Sequence, residues 1–366
     1  MDITYHMPVK VMMEKGIVIK KHHEFKGFGK KAFIITGKSS SKINGSLEDV
    51  EAALDKEGID YYIFDRVEEN PSLETIEDAS KIGLEQNVDF IIGVGGGSPI
   101  DAAKAIAVMI KNPQLNKDNL ITPEKLEALD VIAIPTTSGT GTEVTQYSVL
   151  TDHKNKTKRN LGQEVFPKLA LLDPKYTEKM DLDTTVSTAI DALSHIIEGY
   201  LNRHANDITD ALAERGIKIW GECKDDLVSG DIKNTSREKL MIASNIGGMI
   251  IAQTGTSLPH GMSYPLTYHK GISHGFAIGS LYKEYLKIFK DRKKVNKIYE
   301  LLGLESHKEF EELMDKLVKV HIHVTQDEIK KYTDEVWENK EKLANHPEDI
   351  LYEELFFIYT NSLLYI

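Results

Sequence analysis

The segment Gly93-Val-Gly-Gly-Gly-Ser98 limits the possible folds of this chain more than any other feature. It closes the apolar run Asp89-Phe-Ile-Ile-Gly-Val94 and leads into a helical pattern, Asp101 to Lys111, beginning near Pro99. A buried strand that passes through glycines straight into a helix is half of a βαβ unit, and such units build parallel sheets. Proline suits a first helical turn, where its missing donor costs nothing. Four glycines in five positions are more than a turn needs. Glycine lets the backbone approach a ligand closely, and the free N–H groups of a helix start attract anions, so the segment is expected to bind phosphate.

The same texture recurs over the first 170 residues. Lys31-Ala-Phe-Ile-Ile-Thr36, Tyr61-Tyr-Ile-Phe64 and Asp130-Val-Ile-Ala-Ile-Pro135 read as further short strands. Leu47 to Gly58 has apolar residues at helical spacing and a glycine placed as a stop. Alternating strands and helices predict a doubly wound, mostly parallel α/β sheet. The pattern changes near Leu171-Leu-Asp-Pro174, beyond which only helical stretches are read. Thr188 to Leu201 and Lys239 to Gln253 look buried, whereas Lys283 to Lys342 is thick with Lys and Glu and resembles solvent-facing helices. The expected division is an α/β nucleotide-binding domain over 1–170 and an all-helical catalytic domain over 171–366, with a ligand cleft between them.

Composition removes several function classes. The 366 residues carry 45 Lys plus Arg against 57 Asp plus Glu, a formal charge of −12 that argues against general nucleic-acid binding. Cys223 is the only cysteine, which excludes an intramolecular disulfide and a cysteine-based metal site. No signal-peptide pattern opens the sequence and no apolar stretch approaches the roughly 18 residues of a membrane span, so a soluble, cytoplasmic protein is expected.

Two more loops sit at predicted strand ends. Gly37-Lys-Ser-Ser40 is not a P-loop, since position 32 is Ala where that motif needs glycine. The end of a first strand often meets an adenosine ribose, and an acid there favours the 2′-hydroxyl. Here Gly37 and Ser39 offer space, hydroxyls and a neighbouring lysine, which suits NADP better than NAD. Pro135-Thr-Thr-Ser-Gly-Thr-Gly-Thr142 is a third polar, glycine-containing loop. By itself it would be a capping loop. Three such loops converging on one sheet edge make a nucleotide site the better reading, although Gly-x-Gly-x-x-Ser departs from the usual Rossmann fingerprint.

In the helical half, Asp191-Ala-Leu-Ser-His195 places a carboxylate and an imidazole one turn apart on one face. A single such pair is ordinarily a cap beside a core histidine. His260-Gly and His274-Gly, both in the low-charge stretch Thr254 to Gly279, change that reading. One carboxylate and three imidazoles without a thiolate suit Fe(II), Zn(II), Co(II) or Ni(II) rather than calcium or magnesium. His6, His22, His23, His153, His204, His307, His321, His323 and His346 are read as surface residues.

These motifs, in this order, resemble those of the iron-containing (group III) alcohol dehydrogenase family. The resemblance covers nearly the whole chain and rests on Gly95 to Lys104, Ile134 to Thr145, Asp191 to Gly199, and His260-Gly through His274-Gly275. It implies a dehydroquinate synthase-like fold, an α/β nucleotide-binding domain followed by an all-α domain. By that resemblance Asp191, His195, His260 and His274 are the metal ligands. Gly95, Gly96, Gly97 and Ser98 with Asp101 form the pyrophosphate loop, and Thr136, Thr137 and Thr140 lie on the nicotinamide side. Lys158 and Asn70 match further cofactor-contacting positions, and Gly37 stands where NAD-preferring members often carry aspartate. Many members have a histidine four residues after the third ligand, and this chain has Tyr264 there. Tyr264, His269 or water is then left to relay a proton.

The resulting expectation is an NAD(P)-dependent, iron-type alcohol dehydrogenase or aldehyde reductase acting on a small uncharged alcohol or aldehyde. NADP is the favoured cofactor with NAD as the alternative, and Fe(II) the favoured metal with Zn or Ni as alternatives. A homodimer is the generic expectation for a soluble enzyme. The rival readings are a glycerol or polyol dehydrogenase on the same scaffold, a metal-dependent hydrolase with structural glycine loops, and a nucleotide-sensing binding protein.

Overall fold

The computed structural model describes residues 3–364, which divide into two compact units. One consists of Met7–Thr137 and Gly141–Met180. The other takes Ser138–Thr140 and, among the described residues, 3–6 and 181–364.

The first unit contains strands β1 (Lys10–Met13), β2 (Lys31–Gly37), β3 (Asp60–Val67), β4 (Phe90–Gly95), β5 (Val131–Pro135), β6 (Val149–Asp152), β7 (Thr157–Asn160) and β8 (Leu169–Leu172). Six of them form a parallel sheet in the order β1-β8-β5-β4-β2-β3, while β6 and β7 make a separate antiparallel hairpin. β4 and β5 are buried at every residue, as expected of apolar runs covered on both faces. The period of two sorts the faces. Phe33 and Ile35 of β2 join the cluster of Ile76, Ala79, Ala103 and Ile106 from helices Leu73–Gln86 and Gly97–Lys111. Ala32 and Ile34 point the other way, into Phe25, Val50 and Leu54, the last two from helix Ser46–Glu57.

From β2 the chain first moves outward to β3 and then returns to β4 on the opposite side of β2. That reversal creates a topological switch point at the carboxyl ends of β2 and β4. Thr36 pairs with Val94, Val94 with Ile134, and Gly95 with Pro135. The register therefore brings the loops after β2, β4 and β5 out side by side.

The four strands read from sequence are β2 to β5. Missed were β1, the β6–β7 hairpin and β8. The run Leu-Ala-Leu-Leu of β8 is only four residues long, and β1 is half-exposed Lys-Val-Met-Met. Neither contains the alternating or β-branched pattern that marks a strand, and each is set by pairing with a distant partner. The helix after the glycine turn begins at Gly97, two residues before Pro99.

The second unit is helical. Its central helix, Leu182–Tyr200, is capped by Asp181, whose carboxylate accepts from the Thr184 N–H at 2.7 Å, a contact worth about 1 kcal/mol. From Val186 to Tyr200 all but Thr188 are buried. Around it lie Asp207–Gly221, Asn234–Thr254, Leu258–Lys270 and His274–Tyr285. The lysine- and glutamate-rich stretch also folds into helices with buried stripes, including Val295, Ile298 and Tyr299, then Phe310, Leu313, Met314 and Leu317, then Ile329, Tyr332 and Val336. One histidine read as exposed is not. His346 is fully buried, its ring packed against Tyr285 and Phe289 and its Nδ1 3.0 Å from the Glu348 carbonyl oxygen.

Candidate functional site

In the helical unit, three helices present one cluster of side chains. Asp191 and His195 stand one turn apart on Leu182–Tyr200. His260 lies in the first turn of Leu258–Lys270, and His274 is the first residue of His274–Tyr285. The start of this last helix is pressed onto the central one. A Cβ at Gly275 would overlap the Ser187 carbonyl oxygen, so only glycine there lets His274 reach Asp191.

Asp191 Oδ1 is the focus. His260 Nε2 lies 3.6 Å away, His195 Nε2 3.8 Å and His274 Nε2 3.9 Å. The candidate ligand atoms of Asp191, His195 and His260 all fall within 4.8 Å of one another. These separations exceed hydrogen-bond length, and both Asp191 Oδ1 and His260 Nε2 are buried with no hydrogen-bond partner. Two orphaned polar atoms facing each other in a protein interior are costly unless something else satisfies them. Donors sharing one tetrahedral cation at roughly 2.0–2.2 Å would stand about 3.3–3.6 Å apart. The three imidazole nitrogens stand within a few tenths of an ångström of that spacing from Asp191 Oδ1, and one carboxylate with three imidazoles is a donor set that suits a transition metal.

The outer nitrogens hold the rings in place. His260 Nδ1 lies 2.6 Å from Glu198 Oε1, His195 Nδ1 3.3 Å from the Gly139 carbonyl oxygen, and His274 Nδ1 3.4 Å from Ser263 Oγ. Each contact directs the corresponding Nε2 inward. The His195 and His260 rings stack at 4.6 Å. His274 is the accessible member, its side chain 31% exposed, which leaves one side of the cluster open.

The electrostatics follow from burial and charge together. Burial opposes the charged form of His260, but Glu198 and Asp191 outweigh it and hold the pKa at about 9. Burial dominates at His195, lowering its pKa against the pull of Asp191. Asp191 itself is held well below the usual carboxylate range. Burial would raise it, and the three imidazoles more than reverse that effect.

In the α/β unit, the glycine turn after β4 is met by the loops after β3 and β5 and by the β6–β7 hairpin. Gly95 has φ +149, a conformation that favours glycine, and a Cβ there would lie 2.6 Å from Pro99 Cγ. The Asn70 N–H donates to Ser98 Oγ at 3.1 Å, and Lys158 Nζ donates to Asn70 Oδ1 at 2.7 Å. Lys158 comes from the β6–β7 hairpin, so the turn at Gly95, Gly96, Gly97 and Ser98 is ringed by groups distant in sequence. The Thr136 N–H donates to the Gly95 carbonyl at 2.8 Å, and a Cβ on Gly96 would lie 3.2 Å from Thr137 Cγ2. Gly37 ends β2 opposite Val67, with Ser39 exposed just beyond. Thr140 groups with the helical unit, unlike Thr136 and Thr137.

Asp101 faces inward. Its carboxylate accepts from Thr142 Oγ1 at 2.5 Å and from the Val149 N–H at 2.9 Å. Burial raises its pKa against the opposing charge of Lys104. Its geometry serves to fix the loop after β5 against the helix that starts at the glycine turn.

The structure thus brings Asp191, His195, His260 and His274 together, and separately gathers Asn70, Ser98 and Lys158 beside the glycine turn. Tyr264 stacks on the His274 ring at 6.0 Å, while His269 stacks on Tyr332 at 5.7 Å. Sequence reasoning did not single out Glu198, Gly139 or Lys104. Glu198 alone left a signal, since seven residues after Asp191 is two helical turns along the same face.

Comparison with known proteins places these features. Residues 8–174 match the family model for iron-containing alcohol dehydrogenase, and residues 185–356 match the C-terminal model of the Fe-containing alcohol dehydrogenase family. The NADPH-dependent butanol dehydrogenase of Clostridium saccharobutylicum is 33% identical over 300 residues, spanning 80% of this chain and 76% of that protein. A lactaldehyde reductase of Escherichia coli is 32% identical over 251 residues, spanning 68% of this chain and 65% of the relative. The crystal structure of an iron-containing alcohol dehydrogenase from Thermotoga maritima superposes with a TM-score of 0.92 at 39% identity, covering 98% of this chain and 99% of that one. With both halves matched in order and a buried carboxylate–imidazole cluster between those helices, the chain belongs to the iron-containing alcohol dehydrogenase family.

Proposed function

We propose that the protein is an NADP(H)-linked, metal-dependent dehydrogenase that interconverts small uncharged alcohols and aldehydes, working as an aldehyde reductase when NADPH is the donor. The observation that carries this reading is the orphaned Asp191 Oδ1 with three histidine Nε2 atoms 3.6–3.9 Å from it. Asp191, His195, His260 and His274 are the residues that would hold the metal. Fe(II) is the favoured ion, and the donor set also accepts Zn(II) or Ni(II). When bound, the cation supplies Lewis acidity at the substrate oxygen and the nicotinamide supplies or accepts the hydride.

The chain's own residues supply the rest. The four residues that would hold the ion contribute one formal negative charge when the imidazoles are neutral, so they would leave a divalent ion with net positive charge. The open side at His274 is where substrate enters, and the Tyr264 ring stacks beside it. Gly95, Gly96, Gly97 and Ser98 cradle the pyrophosphate with Asn70 and Lys158, and Thr136, Thr137 and Thr140 face the nicotinamide. Asp101 acts behind this surface by fixing the loop. The absence of an acid at Gly37 and Ser39, with Lys38 exposed beside them, favours a 2′-phosphate. An uncharged substrate is favoured because Lys270, the single lysine between Thr254 and Gly279, is tied to Glu328 at 2.6 Å.

NADPH oxidation with butanal tests the proposal, using anaerobically prepared, Fe(II)-loaded protein with NADH in parallel. The expected result is chelator-sensitive turnover that prefers NADPH. Equal or better use of NADH would overturn the cofactor choice, and turnover unaffected by complete metal removal would overturn the metal role.

A further inference from the structure

Glu198 is a fully buried carboxylate in the helical unit. It lies two turns beyond Asp191 on the same helix and reaches the other two ligand-bearing helices. Its Oε2 accepts from the N–H of Ser257, the residue that precedes helix Leu258–Lys270, at 2.6 Å. Its Oε1 lies 2.6 Å from His260 Nδ1 and accepts from the hydroxyl of Tyr282, on helix His274–Tyr285, at 3.2 Å. Tyr282 shares that hydroxyl with the Ser194 carbonyl at 3.1 Å. A buried carboxylate is a costly way to join three helices, since hydrocarbon packing alone would do it. The arrangement makes sense when its charge serves something nearby.

We infer that Glu198 is the positioning residue of the metal site: it fixes His260 as the Nδ1–H tautomer with Nε2 bare toward Asp191, and its charge raises the donor strength of that nitrogen. The inference rests on the metal assignment proposed above. A carboxylate is a stronger partner than the Gly139 carbonyl behind His195, and its contact is shorter, 2.6 Å against 3.3 Å. His260 is therefore the anchor ligand. Removing such an outer partner from a metal-bound histidine costs about 10–100-fold in metal affinity. Glu198→Gln keeps the size but removes the charge, and its amide N–H₂ must face one of two donors, Ser257 N–H or His260 Nδ1–H. Turning the ring to its Nε2–H tautomer relieves that clash by aiming a proton at the metal position.

The experiment is Zn(II) binding to metal-free protein by competition with a chromophoric chelator, with the thermal midpoint of the metal-free protein measured alongside. In E198Q, Zn(II) affinity is expected to fall 10–100-fold while the metal-free midpoint moves little. Tyr282→Phe cuts the link to the third helix but leaves the His260 contact, and is expected to bind Zn(II) within about threefold of wild type. A purely structural clamp predicts the opposite pattern, a lowered metal-free midpoint in both variants with unchanged Zn(II) affinity, and that result overturns the inference. If E198Q does not fold, ¹⁵N-histidine spectra of the Zn(II)-loaded wild type decide the matter. A protonated Nδ1 on His260 supports the assignment and a bare Nδ1 overturns it. Failure of the metal reading itself is separate, for then the wild type binds no stoichiometric Zn(II), or Asp191→Ala binds it equally well.

Discussion

Replacing Lys104 by Met tests how the loop after β5 is held. Lys104 is fully buried. Its ammonium donates to the carbonyl oxygens of Thr142 at 2.7 Å, Thr145 at 2.9 Å and Tyr147 at 2.7 Å, with Thr142 Oγ1 at 2.8 Å. Methionine keeps the straight chain but leaves those carbonyls without this donor, at roughly 1–3 kcal/mol each. Against this stands relief from a buried charge. Burial pushes the Lys104 pKa down from 10.5 to about 8, against Asp101 and Glu143, and that shift corresponds to about 3 kcal/mol. Taking about 2 kcal/mol per carbonyl, Lys104→Met loses about 3 kcal/mol net. For a unit of this size the thermal midpoint then falls by about 6–12 °C.

The pH dependence has a definite sign. Between pH 8 and 10.5 the unfolded chain keeps a proton that the folded chain has shed, so stability from this group rises with pH across that window. K104M lacks that rise, and its deficit relative to wild type should widen from pH 8 to 10. Thermal unfolding of both proteins at pH 7, 8 and 10 measures it. A K104M midpoint equal to or above wild type at pH 7, or a deficit that shrinks toward pH 10, refutes the reasoning.

Gly37→Asp has room for its side chain, since a Cβ there lies 3.5 Å from the Val67 carbonyl oxygen. It should raise KM for NADPH at least about tenfold while improving NADH, through repulsion of a 2′-phosphate worth about 1.4 kcal/mol or more. Unchanged KM ratios would show that the loop does not meet the ribose. Gly275→Ala forces a methyl into the Ser187 carbonyl and should cost about 1–3 kcal/mol in thermal or urea unfolding, with weaker metal binding as His274 is displaced. Full stability in that variant contradicts the close helix approach. His274→Ala should lose metal and turnover together, by metal analysis and NADPH oxidation. Retained turnover without metal removes His274 from the ligand set.

Much of this was legible because the relevant signals are local. The run before Gly95 is apolar on both faces, as a central parallel strand requires, and the glycines follow it without a gap. Asp191 and His195 are one helical turn apart, a relation the sequence states directly. The strands β1 and β8 were not legible because β1 pairs with β8 across more than 150 residues and β8 lies between β1 and β5. Their apolar residues match a short helix turn equally well. His346 misled for a similar reason, since its polar neighbours say nothing of the Tyr285 and Phe289 rings that cover it. Glu198 stood in a quoted motif, yet its importance depends on Ser257, His260 and Tyr282, whose approach only the tertiary fold reveals. The resemblance groups Asp101 with the phosphate loop, and only the tertiary fold reveals that its carboxylate also holds the Thr142 hydroxyl and the Val149 N–H.

The central claim is that one metal held by Asp191, His195, His260 and His274 is required for hydride transfer. Its most direct test is anaerobic titration of metal-free protein with Fe(II) while following NADPH oxidation by butanal. Activity should rise from near zero and saturate at one Fe(II) per chain, with no activity at any Fe(II) level in Asp191→Ala. Activity in the metal-free protein, or an Asp191→Ala titration indistinguishable from wild type, would contradict it.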